Sequence, residues 1–171
     1  SPLYEQAGDA KKLSSVYEVR LKHTADPETR IVLLREVGLL YEEKLRTPQL
    51  AFERFLEAFS FDAKSDVLRE DVERLAAKVN GWDGVFEAYA KGIEAATHPD
   101  DANDLRLHYG QALHRLGKVP EAIEQYSVVY EDRSDDARAI TALEQLYRES
   151  GDYKGLMTVQ TRRAEFESDP E

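Results

Sequence analysis

Residues Asn103 to Asp136 read NDLRLHYGQALHRLGKVPEAIEQYSVVYEDRSDD, and the fold turns on this stretch. Its second half places Ala122, Ile123, Tyr126, Val129 and Tyr130 three and four residues apart, a spacing that lines one face of an α-helix. Gly117 and Pro120 interrupt the pattern, and Pro120 falls where a helix begins and its missing N–H costs nothing. The stretch is therefore a helix, a joint and a second helix. Ile31, Leu34, Val37, Leu40 and Tyr41 repeat the period, as do Ile140, Leu143, Leu146 and Tyr147. No segment shows sustained period-two alternation with β-branched residues, so the chain reads as all-α.

The pattern also recurs at long range. Leu3-Tyr4-Glu5-Gln6-Ala7-Gly8-Asp9 returns 143 residues later as Leu146-Tyr147-Arg148-Glu149-Ser150-Gly151-Asp152, and Pro27 and Pro170 keep the same interval. A middle copy runs from Leu75 through Gly81 to Pro99. Gly38 precedes Gly110 by 72 residues, while Ala51 precedes Ala122 and Phe55 precedes Tyr126 by 71. Self-similarity at fixed period marks a repeat architecture. A block of about 71 is too long for one supersecondary unit and divides into two of about 36, each with two helical patterns. Breakers mark the joints: Gly8-Asp9, Asp26-Pro27, Thr47-Pro48, Gly81, Pro99-Asp100-Asp101, Gly117 with Pro120, and Gly151-Asp152. Thr47 and Asp26 stand ahead of prolines as caps. Nine helices are predicted, near 10–24, 28–45, 48–60, 65–79, 82–96, 101–116, 119–132, 136–150 and 152–167. The residues before Gly8 read as the last turn of another helix.

Composition bounds the function. The chain has 171 residues, 42% of them hydrophobic, enough for a continuous core. It has no cysteine, which removes disulfide frameworks, thiolate zinc sites and cysteine nucleophiles, and leaves the compartment open with the cytoplasm slightly favoured. Lys and Arg number 23 against 34 Asp and Glu, a net charge of −11 that argues against general affinity for nucleic acid or anionic lipid. No apolar run approaches the roughly 18 residues that span a bilayer, so a soluble protein without membrane insertion is expected.

Asn103 to Asp136 resembles one named family, the tetratricopeptide repeat (TPR). Tyr109-Gly110 stands in place of that family's Leu-Gly, and Leu113 in place of its Tyr; Ala122 follows Gly110 by the family's twelve residues, and Tyr126 stands where Phe is usual. Arg106 and Ser134 replace the consensus Trp and Pro. In the unit beginning at Ile31, Val37-Gly38 and Tyr41 fit, but Ala51 arrives one residue late. From Ala137, Ile140, Leu143, Tyr147 and Gly151 fit, while Leu156 and Gln160 replace the expected Ala and aromatic. Gly110 and Ala122 are small where two antiparallel helices would cross, letting Tyr109, Leu113 and Tyr126 pack; a bulky residue at 122 would cost roughly 1–3 kcal/mol.

The resemblance implies a right-handed α-solenoid of antiparallel helix pairs, with four to five repeats in a single array over 1–171 and a concave inner surface. The pairs are expected near 1–25, 28–60, 65–97, 101–132 and 136–167. By the same register, Leu3 to Ala7 end a helix whose beginning is absent, and Ser168-Asp169-Pro170-Glu171 corresponds to Asp26-Pro27-Glu28 ahead of a full helix. The chain is therefore expected to be a piece of a longer array without capping ends.

Candidate chemistry is sparse. His108 and His114 are six residues apart, on different helix faces, and His23 and His98 fall near helix ends, so no metal pair is expected. Asp100-Asp101-Asp104 and Asp132-Arg133-Ser134-Asp135-Asp136 lack the Gly and closing Glu of a calcium loop and precede helices, where Asp caps amides and suits the macrodipole. Gly81-Trp82-Asp83-Gly84 is no phosphate loop, since no Lys-Ser/Thr follows it. Neither a G-x-S-x-G nor an H-E-x-x-H motif occurs. No catalytic residues and no cofactor are expected, and the chain is read as non-enzymatic.

In the family the first helix of each pair lines the groove. That register assigns a partner-binding set of Arg35, Leu39 and Glu42, then His108, Gln111 and Arg115, then Arg138, Thr141, Gln145 and Arg148. The set is less acidic than the whole molecule and suits an acidic or extended peptide. The family's carboxylate clamp is incomplete, its places holding Arg35 with Leu39, or Leu107 with Gln111. The expected function is a protein–protein interaction or scaffolding module for a protein or peptide partner. The alternative is an architectural segment that self-associates through uncapped ends.

Overall fold

The structure, a computed structural model, describes residues 2–168. Among the described residues are nine α-helices and no strand: α1 (Pro2–His23), α2 (Pro27–Leu39), α3 (Pro48–Phe61), α4 (Asp66–Val79), α5 (Trp82–Ala95), α6 (Pro99–Arg115), α7 (Val119–Asp132), α8 (Ala137–Ser150) and α9 (Tyr153–Glu167). Pro27, Pro48 and Pro99 each open a helix. Capping side chains hold other starts: Asp26 accepts from the Thr29 amide at 2.9 Å, Ser65 from Leu68 at 3.3 Å, Asp136 from Arg138 at 3.0 Å, and Asp152 from Gly155 at 2.9 Å. Thr47 does not cap α3, contrary to expectation; its hydroxyl donates to the Tyr41 carbonyl, 3.2 Å away. Asp100 and Asp101 lie in the first turn of α6, where they complement its dipole.

The chain divides into two compact units, Ser1–Gly92 and Ile93–Glu171, with the boundary inside α5. In the first, Leu34 and Val37 of α2, Phe55 and Phe59 of α3, Val72 and Leu75 of α4, and Val85 and Tyr89 of α5 are fully buried. Phe59 and Tyr89 meet edge to face at 5.4 Å, and the Tyr89 hydroxyl donates to Glu73 at 2.7 Å. In the second, Leu113 of α6, Ala122 and Val129 of α7, Leu143 and Leu146 of α8 and Val159 of α9 form the core. Each unit has a tight crossing at the same register. A Cβ at Gly38 would lie 2.4 Å from the Phe55 ring, and one at Gly110 would lie 2.8 Å from that of Tyr126. Glycine permits the approach in both.

The 71-residue register is visible in backbone geometry. Left-handed residues recur in pairs: Arg46 (φ 51°) with Gly117 (φ 73°), and Asn80 (φ 55°) with Gly151 (φ 73°). Ser65 and Asp136, also 71 apart, are both N-caps. The interval of 72 at Gly38 and Gly110 has a local cause. Leu40–Lys44 is a π-helical turn, closed by Leu45 N–H to the Leu40 carbonyl at 3.1 Å, and it absorbs one extra residue. The helix-ending bond confirms the count: Thr47 N–H reaches back six residues to Tyr41, whereas Lys118 reaches back five to Leu113. This is why Ala51 arrives one residue late.

One expectation fails at the N-terminal end. Gly8-Asp9 is no joint: α1 runs unbroken from Pro2 to His23, so the expected helix pair near 1–25 is one helix. A helical glycine costs only about 1 kcal/mol, and with no atom within 4 Å of a Cβ at Gly8, no packing enforces a turn. Leu13, Val16 and Val19 of α1 are about half exposed. The expectation placed on Asp169-Pro170-Glu171 lies outside the described residues.

Candidate functional site

In each unit a cleft opens between the first helix of one hairpin and the start of the next first helix. The cleft of the first unit, about 270 Å³, is lined by Ile31, Val32, Arg35 and Glu36 of α2, Asp62 and Ser65 of the joint, and Val67 and Leu68 of α4. Its upper wall is apolar and open, Val32 and Val67 being 56% and 50% exposed. Beside it the charges form a closed network. Arg35 Nε donates to the buried Asp71 carboxylate at 2.8 Å, Arg74 binds the other Asp71 oxygen at 3.0 Å, and Arg74 also pairs with Glu42. Arg35 therefore lines the cleft as half of an ion pair, Glu42 is taken up by α4, and Leu39 is half-buried outside the lining.

The second unit's cleft, also about 270 Å³, is lined by Leu107, His108 and Gln111 of α6, Tyr126 of α7 and Arg138 of α8. Three residues of the predicted set, His108, Gln111 and Arg138, are brought together there. Arg138 is shared with Asp104 and Asp136, both at 3.2 Å. Arg115 is exposed at the end of α6, and its charge reaches Tyr126. The other three lie elsewhere on α8. Thr141 accepts from Arg163 of α9 at 2.9 Å, Gln145 donates to Glu149 at 2.9 Å, and Arg148 is exposed near the helix end. His114 meets Glu149 at 2.8 Å, which with Gln145 holds that carboxyl below its ordinary value.

Tyr126 is the residue that sequence reasoning assigned to packing alone. Its side chain is 6% exposed, its ring lies against Gly110, and its hydroxyl has no hydrogen-bond partner among the described residues. Burial pushes the phenol up to about 12, with the Arg115 charge opposing, so it stays a protonated donor at neutral pH. The clue in the sequence was the interval: Phe55 stands 71 residues earlier, in the same place, without the hydroxyl.

The two clefts are register equivalents with different chemistry. Arg35, Glu36 and Val67 line the first, and the corresponding places in the second hold Leu107, His108 and Arg138. Ion pairs across successive repeats stiffen both neighbourhoods: Glu18 with Arg54 at 2.8 Å, Arg35 with Asp71, and Asp104 with Arg138. No cluster of three or more His, Asp or Glu able to hold a metal occurs among the described residues, and none of their helices is long and apolar enough to cross a membrane.

No family model matches the chain, and no curated protein matches it. Solved structures do. MamA is 19% identical with a TM-score of 0.50, covering 95% of this chain and 93% of its own. BtubC (BKLC) from P. vanneervenii is 15% identical with a TM-score of 0.52, covering 98% of this chain and 78% of its own. At these identities the likeness bears on the fold, a helical TPR-like fold of the α-solenoid class.

Proposed function

We propose that the chain is a non-enzymatic protein-interaction or scaffolding module that holds a protein or peptide partner along its first-helix faces. The observation that carries this reading is the pair of clefts at equivalent register, each open to solvent and walled by first-helix side chains. Repeat folds of this kind use such faces for extended partners, and a TPR-like fold supports that use. A net charge of −11 turns the reading away from nucleic acid. The test is an NMR titration of the labelled chain with pools of random peptides. Shifts should gather at residues 31–36, 65–68, 107–111 and 138; shifts confined to α1 and α9 would count against the reading.

A second reading, architectural stacking through the ends, is favoured by exposed apolar surface on the outermost helices. α1 presents Leu13, Val16 and Val19, and α9 presents Tyr153 at 69% and Met157 at 66% exposure beside an open cleft of about 630 Å³. Light scattering separates the readings: a chain that stays monomeric over a wide concentration range removes self-association.

A further inference from the structure

We propose that the cleft of the second unit is a carboxylate-binding subsite, taking one aspartate or glutamate side chain of an extended partner peptide, with the Tyr126 hydroxyl as a donor on its wall. The proposal rests on the peptide-binding reading above and names the chemistry of one of its two clefts. The molecule supplies its own control. Phe55 and Tyr126 occupy equivalent places, each ring pressed against the glycine of the opposing helix, Gly38 or Gly110. Phe55 is fully buried, so the packing is complete without an oxygen. The hydroxyl of Tyr126 adds nothing to that packing. It is carried by a side chain only 6% exposed, it lines the cleft, and no described residue accepts its hydrogen bond. The carbon that bears it lies 2.9 Å from where a Cβ of residue 110 would stand, which places the oxygen at the α6 wall beside His108 and Gln111. A donor on the wall of an open cleft, with no acceptor among the described residues, is free to serve an acceptor from outside.

The walls point to a charged acceptor. Where the first cleft carries Val67, the second carries Arg138, and where α2 carries Leu39 at the same register, α6 carries Gln111. Both changes add hydrogen-bond donors, while Leu107 in place of Arg35 removes a cation from the opposite wall. Arg138 already bridges Asp104 and Asp136, so it is held in place rather than mobile, and Arg115 adds a second positive charge close enough to act on Tyr126. A carboxylate entering this cleft would accept from the phenol and the Gln111 amide, and charge-assisted bonds of this kind are the strong ones.

The experiment selects displayed random decapeptides on the whole chain, wild type and Tyr126→Phe. One enriched peptide is then titrated against both proteins in its Glu and Gln forms. The expected result is enrichment of Asp or Glu at one peptide position, and a loss of about tenfold or more on exchanging Glu for Gln with the wild type. With Tyr126→Phe that discrimination should shrink severalfold. Phe55 shows that the variant's ring fits, and a thermal melt checks its fold; the exposed Gln111→Ala is the second variant and should weaken the same preference. Enrichment of peptides without an acidic position overturns the subsite while leaving the groove. So does an undiminished Glu-over-Gln preference in both variants. No enrichment of any sequence, with no shifts at either cleft, overturns the groove and the subsite together.

Discussion

Substituting Gly38 by alanine tests the crossing on which the first unit is built. A methyl group there would stand 2.4 Å from Cε1 and 2.7 Å from Cδ1 of Phe55, against 3.4–4 Å for ordinary contact, so the ring would have to move by about an ångström. Phe55 is fully buried, so its ring can move only against neighbouring side chains. Overpacking of this kind costs roughly 1–3 kcal/mol, while alanine in place of glycine within a helix gains about 1 kcal/mol. The net expectation is a loss of about 1 kcal/mol. Gly8 supplies the contrast, since it too is helical but has nothing within 4 Å of a Cβ, so Gly8→Ala should gain up to about 1 kcal/mol. The same exchange thus has opposite signs at the two sites. Urea unfolding followed through Trp82, the one tryptophan and a residue of the first unit, reads the Gly38 effect. Phe55→Leu should relieve the clash, so the double variant Gly38→Ala with Phe55→Leu should show a coupling of about 1 kcal/mol or more. Stabilisation by Gly38→Ala equal to that of Gly8→Ala, or strict additivity with Phe55→Leu, would refute the close approach.

Three further outcomes follow from other features. Arg46 holds a left-handed backbone at φ 51°, and its counterpart is Gly117, so Arg46→Gly should raise stability by about 1 kcal/mol while Gly117→Ala lowers it by about 1–2, both read as urea midpoints. Asp71 is buried between two partly exposed arginines, so Asp71→Ala should cost about 1–2 kcal/mol after allowance for solvent screening, and the loss should shrink in 1 M salt (about 3 Å screening length). For Asp136, burial opposes ionisation, but Arg138 and the amide of Ala139 more than offset it and hold the carboxyl below its ordinary value. Its contribution is therefore complete above the unfolded value, about 3.9, and is lost as pH falls through the folded one; Asp136→Asn should flatten the acid limb of a pH–stability curve.

The helices were legible because their signals are local. Proline at three helix starts, Asp26 and Asp136 as caps, and Gly151 at a helix end each act within a few residues, so boundaries agreed within about two residues for α3 to α9, and for α2 once the π-helical turn to Lys44 is counted with it. Gly8-Asp9 carries the same letters as Gly151-Asp152 yet lies within a helix, because a turn there would need packing that the letters do not contain. Tyr126 was read as core, and it is, but its second attribute depends on what its oxygen fails to meet. The ion pairs were hidden for a related reason. Arg35 and Asp71 are 36 residues apart and face one another only once two repeats are stacked, so neither residue's surroundings could be read from its neighbours in sequence.

The π-helical turn at Leu40–Lys44 makes chain length negotiable at one place in the first unit. An added or missing residue in a regular helix rotates everything beyond it by about 100° relative to what precedes it, which would carry Phe55 off Gly38. Here the surplus residue is spent between two fixed points, Gly38 and the left-handed Arg46, and α3 re-enters on the same face as α7 does after a shorter path. Removing one residue from this turn should leave an ordinary α-helix with the core in alignment. The segment thus works as an expansion joint, and any engineered change of repeat length in this protein belongs there.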